Sequence, residues 1–156
     1  MQDTESIYAP PQANLEAADA AASGARGRLY SPRAVAVATF LGSLLAGGSL
    51  MALNFRRLGR GRAALWALLG AVLAQAALFA LAFALPASVH VPSVAYTAVQ
   101  VLVMLYAAKR LQGADIDSHV NAGGRLASGW TAAGIGLLYG MVMMAGLLVA
   151  LDRFGA

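Results

Sequence analysis

Apolar positions fall into four long runs, at residues 34–55, 63–85, 91–108 and 126–151, separated by short polar stretches. No Asp, Glu, Lys or Arg lies inside any run. Charge at the centre of a membrane helix costs about 2.5–3.5 kcal/mol on insertion scales, so this segregation is what hydrocarbon imposes. A bilayer core about 30 Å thick takes about 20 helical residues to cross. The pattern predicts an all-α, polytopic membrane protein with four transmembrane helices in a compact bundle, covering residues 31–156. Residues 1–30 form a polar, alanine-rich tail, read as mostly disordered, in which Asn14 could cap one short helix.

The ends of the runs carry their own punctuation. Ser31-Pro32 opens the first, because proline is tolerated in a first helical turn. Pro86 ends the second and Pro92 starts the third, which is the shortest. Lys109-Arg110 closes it, leaving 111–125 as the longest loop. Trp130 stands where an interfacial indole is expected at the start of the fourth run.

Composition narrows the class. The chain is 60% hydrophobic and only 12% charged, where a soluble domain carries about 25% charge. Without cysteine there is no disulfide, thiolate nucleophile or cysteine-based metal site. The net charge of +4 comes from arginines that border apolar spans, which points to membrane threading and not to nucleic acid. The acidic opening Met1-Gln2-Asp3-Thr4-Glu5 does not resemble a secretory signal.

Sidedness follows from the basic residues. Loops one and three hold seven of the eleven, namely Arg56, Arg57, Arg60, Arg62, Lys109, Arg110 and Arg125. The positive-inside rule places these loops in the cytoplasm and, with four spans, both termini outside; the alternative puts both termini inside and forces the four arginines of loop one out. Arg26, Arg28 and Arg33 resist the first threading, because they would have to be translocated.

Few groups in the spans carry chemistry. Gln75 and Gln100 lie equally far from the turn between the second and third spans and so belong at one depth. They are expected to meet in a polar cluster, with Thr39 or Ser43, that orients helices more than it lines a path. Thr39, Ser43 and Gly47 recur at spacing four, a stripe of small residues read as helix packing; a broken or re-entrant helix at Gly47-Gly48 is the sharper alternative. Gly136 and Gly140 form a GxxxG, also read as internal packing before homodimerisation. Arg56, Arg57, Arg60 and Arg62 suit anionic headgroups or topology. Asp115, Asp117 and His119, at alternate positions, could converge on a divalent ion only in an extended loop, and a solvated loop is favoured. No cofactor or catalytic residue is expected.

The stretch 30–48 (YSPRAVAVATFLGSLLAGG) with 54–59 (NFRRLG), and 123–130 (GGRLASGW) with Gly134-Ile-Gly136, resembles segments of small uncharacterised bacterial four-span membrane proteins. The resemblance covers about a third of the chain and implies a four-helix integral membrane protein of the bacterial inner membrane. It carries no activity. The function expected is non-enzymatic, through helix–helix or lipid contacts, with membrane lipids, a second copy or another membrane protein as partner. A channel or transporter subunit is the first alternative. A membrane enzyme using loop three is the second.

Overall fold

The computed structural model describes residues 27–86, 88 and 92–154. The fold is all-α: four helices, each long and apolar enough to cross a membrane, form a compact bundle with no strand among the described residues. They are α1 (Pro32–Arg57), α2 (Gly61–Ala84), α3 (Ser93–Asn121) and α4 (Gly129–Phe154). The expected cap of Asn14 lies outside the described residues.

α1 is the hub. It packs against each of the other three helices, and these barely touch one another. Sixty-one per cent of its most apolar stretch is buried, against 17%, 11% and 11% for the other three. The Ser31 side chain caps its N-terminus by accepting from the Ala34 N–H at 3.2 Å, with Pro32 in the first turn.

The hub is folded back on itself. Ser43 adopts φ 83°, ψ 179° inside α1 and is the only non-glycine residue with positive φ among those described. A straight helix would hold Tyr30 and Asn54 about 36 Å apart at 1.5 Å per residue. Instead the Tyr30 N–H donates to Asn54 Oδ1 at 2.8 Å, and Asn54 Nδ2 donates to the Tyr30 carbonyl at 2.8 Å. Halfway up, a Cβ on Gly47 would collide with the Thr39 side chain, although a straight helix would separate them by two turns. α1 is therefore a helical hairpin with limbs 32–42 and 44–57 and its tip at Ser43. Of the two sequence readings of this run, uninterrupted packing gives way to a break. The break falls one turn before Gly47-Gly48. Those glycines serve packing instead, Gly47 against Thr39 and Gly48 against Ala71 of α2.

Glycine sets how closely the limbs approach α4, which runs alongside the first limb. A Cβ on Gly136 would lie 2.9 Å from the Ala38 carbonyl oxygen, and one on Gly140 would collide with that of Leu41. The GxxxG motif thus lies inside the bundle. Ser49 on the second limb shares a 2.7 Å hydrogen bond with the Tyr139 hydroxyl.

Two boundaries differ from the sequence reading. α3 does not stop near residue 108; it continues through the expected third loop to Asn121, where Gly123 (φ 82°) ends it. Met104, Ala108, Gln112 and Ile116 give the extension a buried stripe at spacing four. Leu29 and Tyr30, at the end of the polar tail, are buried, and the Ala127 N–H donates to the Leu29 carbonyl at 2.8 Å.

Candidate functional site

Two polar layers emerge, one at the base of the hairpin and one at its tip. The base is built around Asn54 and Gln112, both fully buried. Asn54 uses its oxygen and one N–H on the Tyr30 backbone and donates the other N–H to Gln112 Oε1 at 3.0 Å. Gln112 Nε2 in turn donates to the Met51 carbonyl at 2.8 Å. The two amides bind the chain entering α1, the chain leaving it and the extension of α3. Arg57 closes the layer: its guanidinium lies 5.2 Å from the centre of the Tyr30 ring and donates to the Arg28 carbonyl. Sequence reasoning passed over Asn54 and Gln112 because both sit at or beyond the edge of an apolar run. The stripe at spacing four through Gln112 was the available signal.

Outside this layer, Arg60 makes a two-pronged ion pair with Asp115, at 2.7 and 3.2 Å. The helical course of α3 turns Asp115 towards loop one. Arg56, Arg60 and Arg62 are exposed. The helix also undoes the alternate-position geometry on which a joint site for Asp115, Asp117 and His119 depends, because residues two apart face away from each other. Among the described residues no three His, Asp or Glu side chains gather to hold a metal. The His119 ring packs against Gly124, and its Nε2 is buried without a hydrogen-bond partner, so neither aspartate orients it.

The tip gathers the polar residues predicted inside the spans. Gly48 meets Ala71 of α2, and Gly47 meets Met104 of α3. One helical turn towards the tip from each pair brings Leu44 level with Gln75 and Ser43 level with Gln100. Counted in this way, both glutamines fall near the level of Ser43. Their expected direct contact is absent: Gln75 Oε1 is buried with no hydrogen-bond partner, and so is Ser43 Oγ. The hairpin stands against both α2 and α3, while those two helices barely touch. Thr39, one turn below, donates back to the Val35 carbonyl at 2.9 Å.

Because α2 and α3 splay apart, an apolar groove opens between them, floored by the second limb of α1. Its largest section, about 450 Å³, is walled by Trp66, Ala67 and Gly70 on one side and Val103, Ala107 and Leu111 on the other, over Met51 and Phe55. Smaller sections continue it past Gln100 towards Leu85 and Tyr96. Arg62 stands one turn from Trp66, and Arg110 one turn from Ala107; both cations are exposed, whereas Lys109, two residues from Ala107 and from Leu111, faces away from the groove. Comparison of the chain with protein-family models, curated proteins and solved structures finds no match.

Proposed function

We propose that this is a non-enzymatic protein of the bacterial inner membrane, as the resemblance to small four-span proteins implies, and that it acts through lipid. The observation that carries the reading is the apolar groove between α2 and α3, open along its side, with the exposed Arg62 and Arg110 one helical turn from its Trp66 and Ala107 walls. An acyl chain suits the uncharged walls, and an anionic headgroup suits the two arginines. Each such cation is worth about 1 kcal/mol near an anionic surface, or roughly fivefold in affinity. The unpartnered His119 Nε2 and the pairing of Asp115 with Arg60 speak against an enzyme of loop three.

Trp66 reports directly on the groove. In a Trp130→Phe variant it is the only tryptophan, since the chain has two. The variant is placed in vesicles mixing phosphatidylcholine and phosphatidylglycerol, with bromine on the acyl chains of one or the other. Stronger quenching from brominated phosphatidylglycerol, lost when Arg62 and Arg110 are both changed to Gln, supports the reading. Equal quenching by both lipids at equal fraction overturns it.

A transport subunit is the second reading, favoured by one observation: α1 breaks at Ser43, level with two glutamines, and leaves two buried oxygens unpaired. Irregular backbone at membrane depth is tolerated where it is buried in protein or lines a watery cavity. The two cases differ in whether water reaches Ser43.

A further inference from the structure

We infer that α1 enters the bilayer and returns to the face it came from, so that the chain crosses the membrane three times, with its N-terminal segment on the same side as loops one and three and its C-terminus on the other.

Length is the first ground. The limbs 32–42 and 44–57 are about 16 and 21 Å long at 1.5 Å per residue. Neither crosses a core of about 30 Å, and each reaches about its middle. The run has the hydropathy of a span, but the hydrogen bonds between Tyr30 and Asn54 hold its two ends together.

The base layer is the second. Arg57 contacts Arg28 and Tyr30, Arg60 pairs with Asp115, and Leu29 is bonded to Ala127. The segment before α1, loop one, the end of α3 and the start of α4 therefore lie at one level. α2 leads away from that level, α3 returns to it and α4 leads away again. Opening α1 into a single span would carry Tyr30 to the far side and leave Asn54 without both of its bonds to the Tyr30 backbone.

Charge is the third and is independent of the other two. With four crossings, Arg28 and Arg33 must be translocated. With three, Arg28, Arg33, Arg56, Arg57, Arg60, Arg62, Lys109, Arg110 and Arg125 share a face, and Arg153 alone of the described basic residues lies opposite. Nine against one is the asymmetry that the positive-inside rule favours, and it makes the shared face cytoplasmic. Loops one and three keep the side their arginines predict, and the conflict over the arginines before α1 disappears.

The lack of cysteine makes the test direct. Single variants Arg28→Cys, Arg62→Cys, Asp117→Cys, Ser88→Cys and Asp152→Cys are treated in intact cells with a maleimide that cannot cross the inner membrane. The expected result is that Ser88→Cys and Asp152→Cys react, whereas Arg28→Cys, Arg62→Cys and Asp117→Cys react only after the membrane is opened. Labelling of Arg28→Cys together with Ser88→Cys in intact cells overturns the inference. A second measurement needs no sidedness: spin labels on the Arg33→Cys/Arg56→Cys pair in the full chain in lipid. The hairpin places them about 10–20 Å apart, allowing for helix spacing and label arms; a straight α1 gives about 35 Å and overturns it.

Discussion

Tyr30 and Asn54 exchange two hydrogen bonds of 2.8 Å across twenty-four residues of sequence, and this pairing closes α1 into a hairpin. Asn54 alone makes three hydrogen bonds in a fully buried position, so its loss strands partners in the Tyr30 backbone and in Gln112. A buried group left unsatisfied costs about 1–3 kcal/mol, so Asn54→Leu should lower stability by about 2–4 kcal/mol, read from the thermal midpoint in mild detergent. Because both side chains belong to one network, Asn54→Leu and Gln112→Leu together should cost less than the sum of the single changes.

Ser43 is the residue whose replacement should stabilise. Its φ of 83° with extended ψ lies in a region that glycine alone occupies freely, and holding serine there costs on the order of 1–3 kcal/mol. Ser43→Gly should raise the unfolding midpoint, and Ser43→Val should lower it. A fall in stability with glycine would mean that the hydroxyl has a role that outweighs the strain.

Water at the tip separates the two functional readings. If the hairpin lines a solute path, Ser43→Cys should react with a small water-soluble thiol reagent added from the basic face. If it only packs, the thiol should stay unreactive in native membranes and react after denaturation.

The glycines divide into two groups with opposite signs. Alanine at Gly42 or Gly136 would press on the backbone of the facing element, so Gly42→Ala and Gly136→Ala should destabilise, as overpacking does by about 1–3 kcal/mol. No heavy atom lies within 4 Å of a Cβ built on Gly134 or Gly146, so alanine there should gain roughly 0.5–1 kcal/mol of helix propensity. The same thermal melts in detergent rank all four.

The ion pair of Arg60 and Asp115 should matter little to stability. The arginine side chain is 55% exposed, and exposed pairs are typically worth less than about 1 kcal/mol. A double-mutant cycle with Arg60→Gln and Asp115→Asn should give a coupling below that value, shrinking further as salt rises.

The helices were legible in the sequence because hydrocarbon excludes charge from whole runs, and Ser31-Pro32 and Pro92 mark helix starts that the structure keeps. The fold-back was open only as the lesser of two readings, and one turn away from its true place, because hydropathy is blind to direction. Residues 34–55 read as one continuous run whether or not they turn at Ser43, and Gly42 beside the turn is one of three glycines in that run. The clue lay in symmetry: Thr39 and Gly47 stand equally far from Ser43, and the polar pair Tyr30 and Asn54 brackets the run. The helical course of α3 past Lys109 was hidden by the fall in hydropathy, although Ala108, Gln112 and Ile116 continue its buried stripe. At the candidate site, the shared depth of Gln75 and Gln100 could be counted from the turn between their helices. The position of the α1 tip at their level could not, since it follows only once α1 folds back at Ser43.

The turn at Ser43 also places two helix ends side by side at the middle of the bundle. The limb 32–42 ends there with its carbonyl end, carrying about half a negative charge, and the limb 44–57 begins there with its N–H end, carrying about half a positive one. The pair makes a compact dipole with no net charge, set where hydrocarbon screens it least. Such a dipole offers both donors and acceptors to a neutral hydrogen-bonding molecule but gives no ion a counter-charge. A solute reaching the tip from the basic face would have only the other half of the bilayer still to cross.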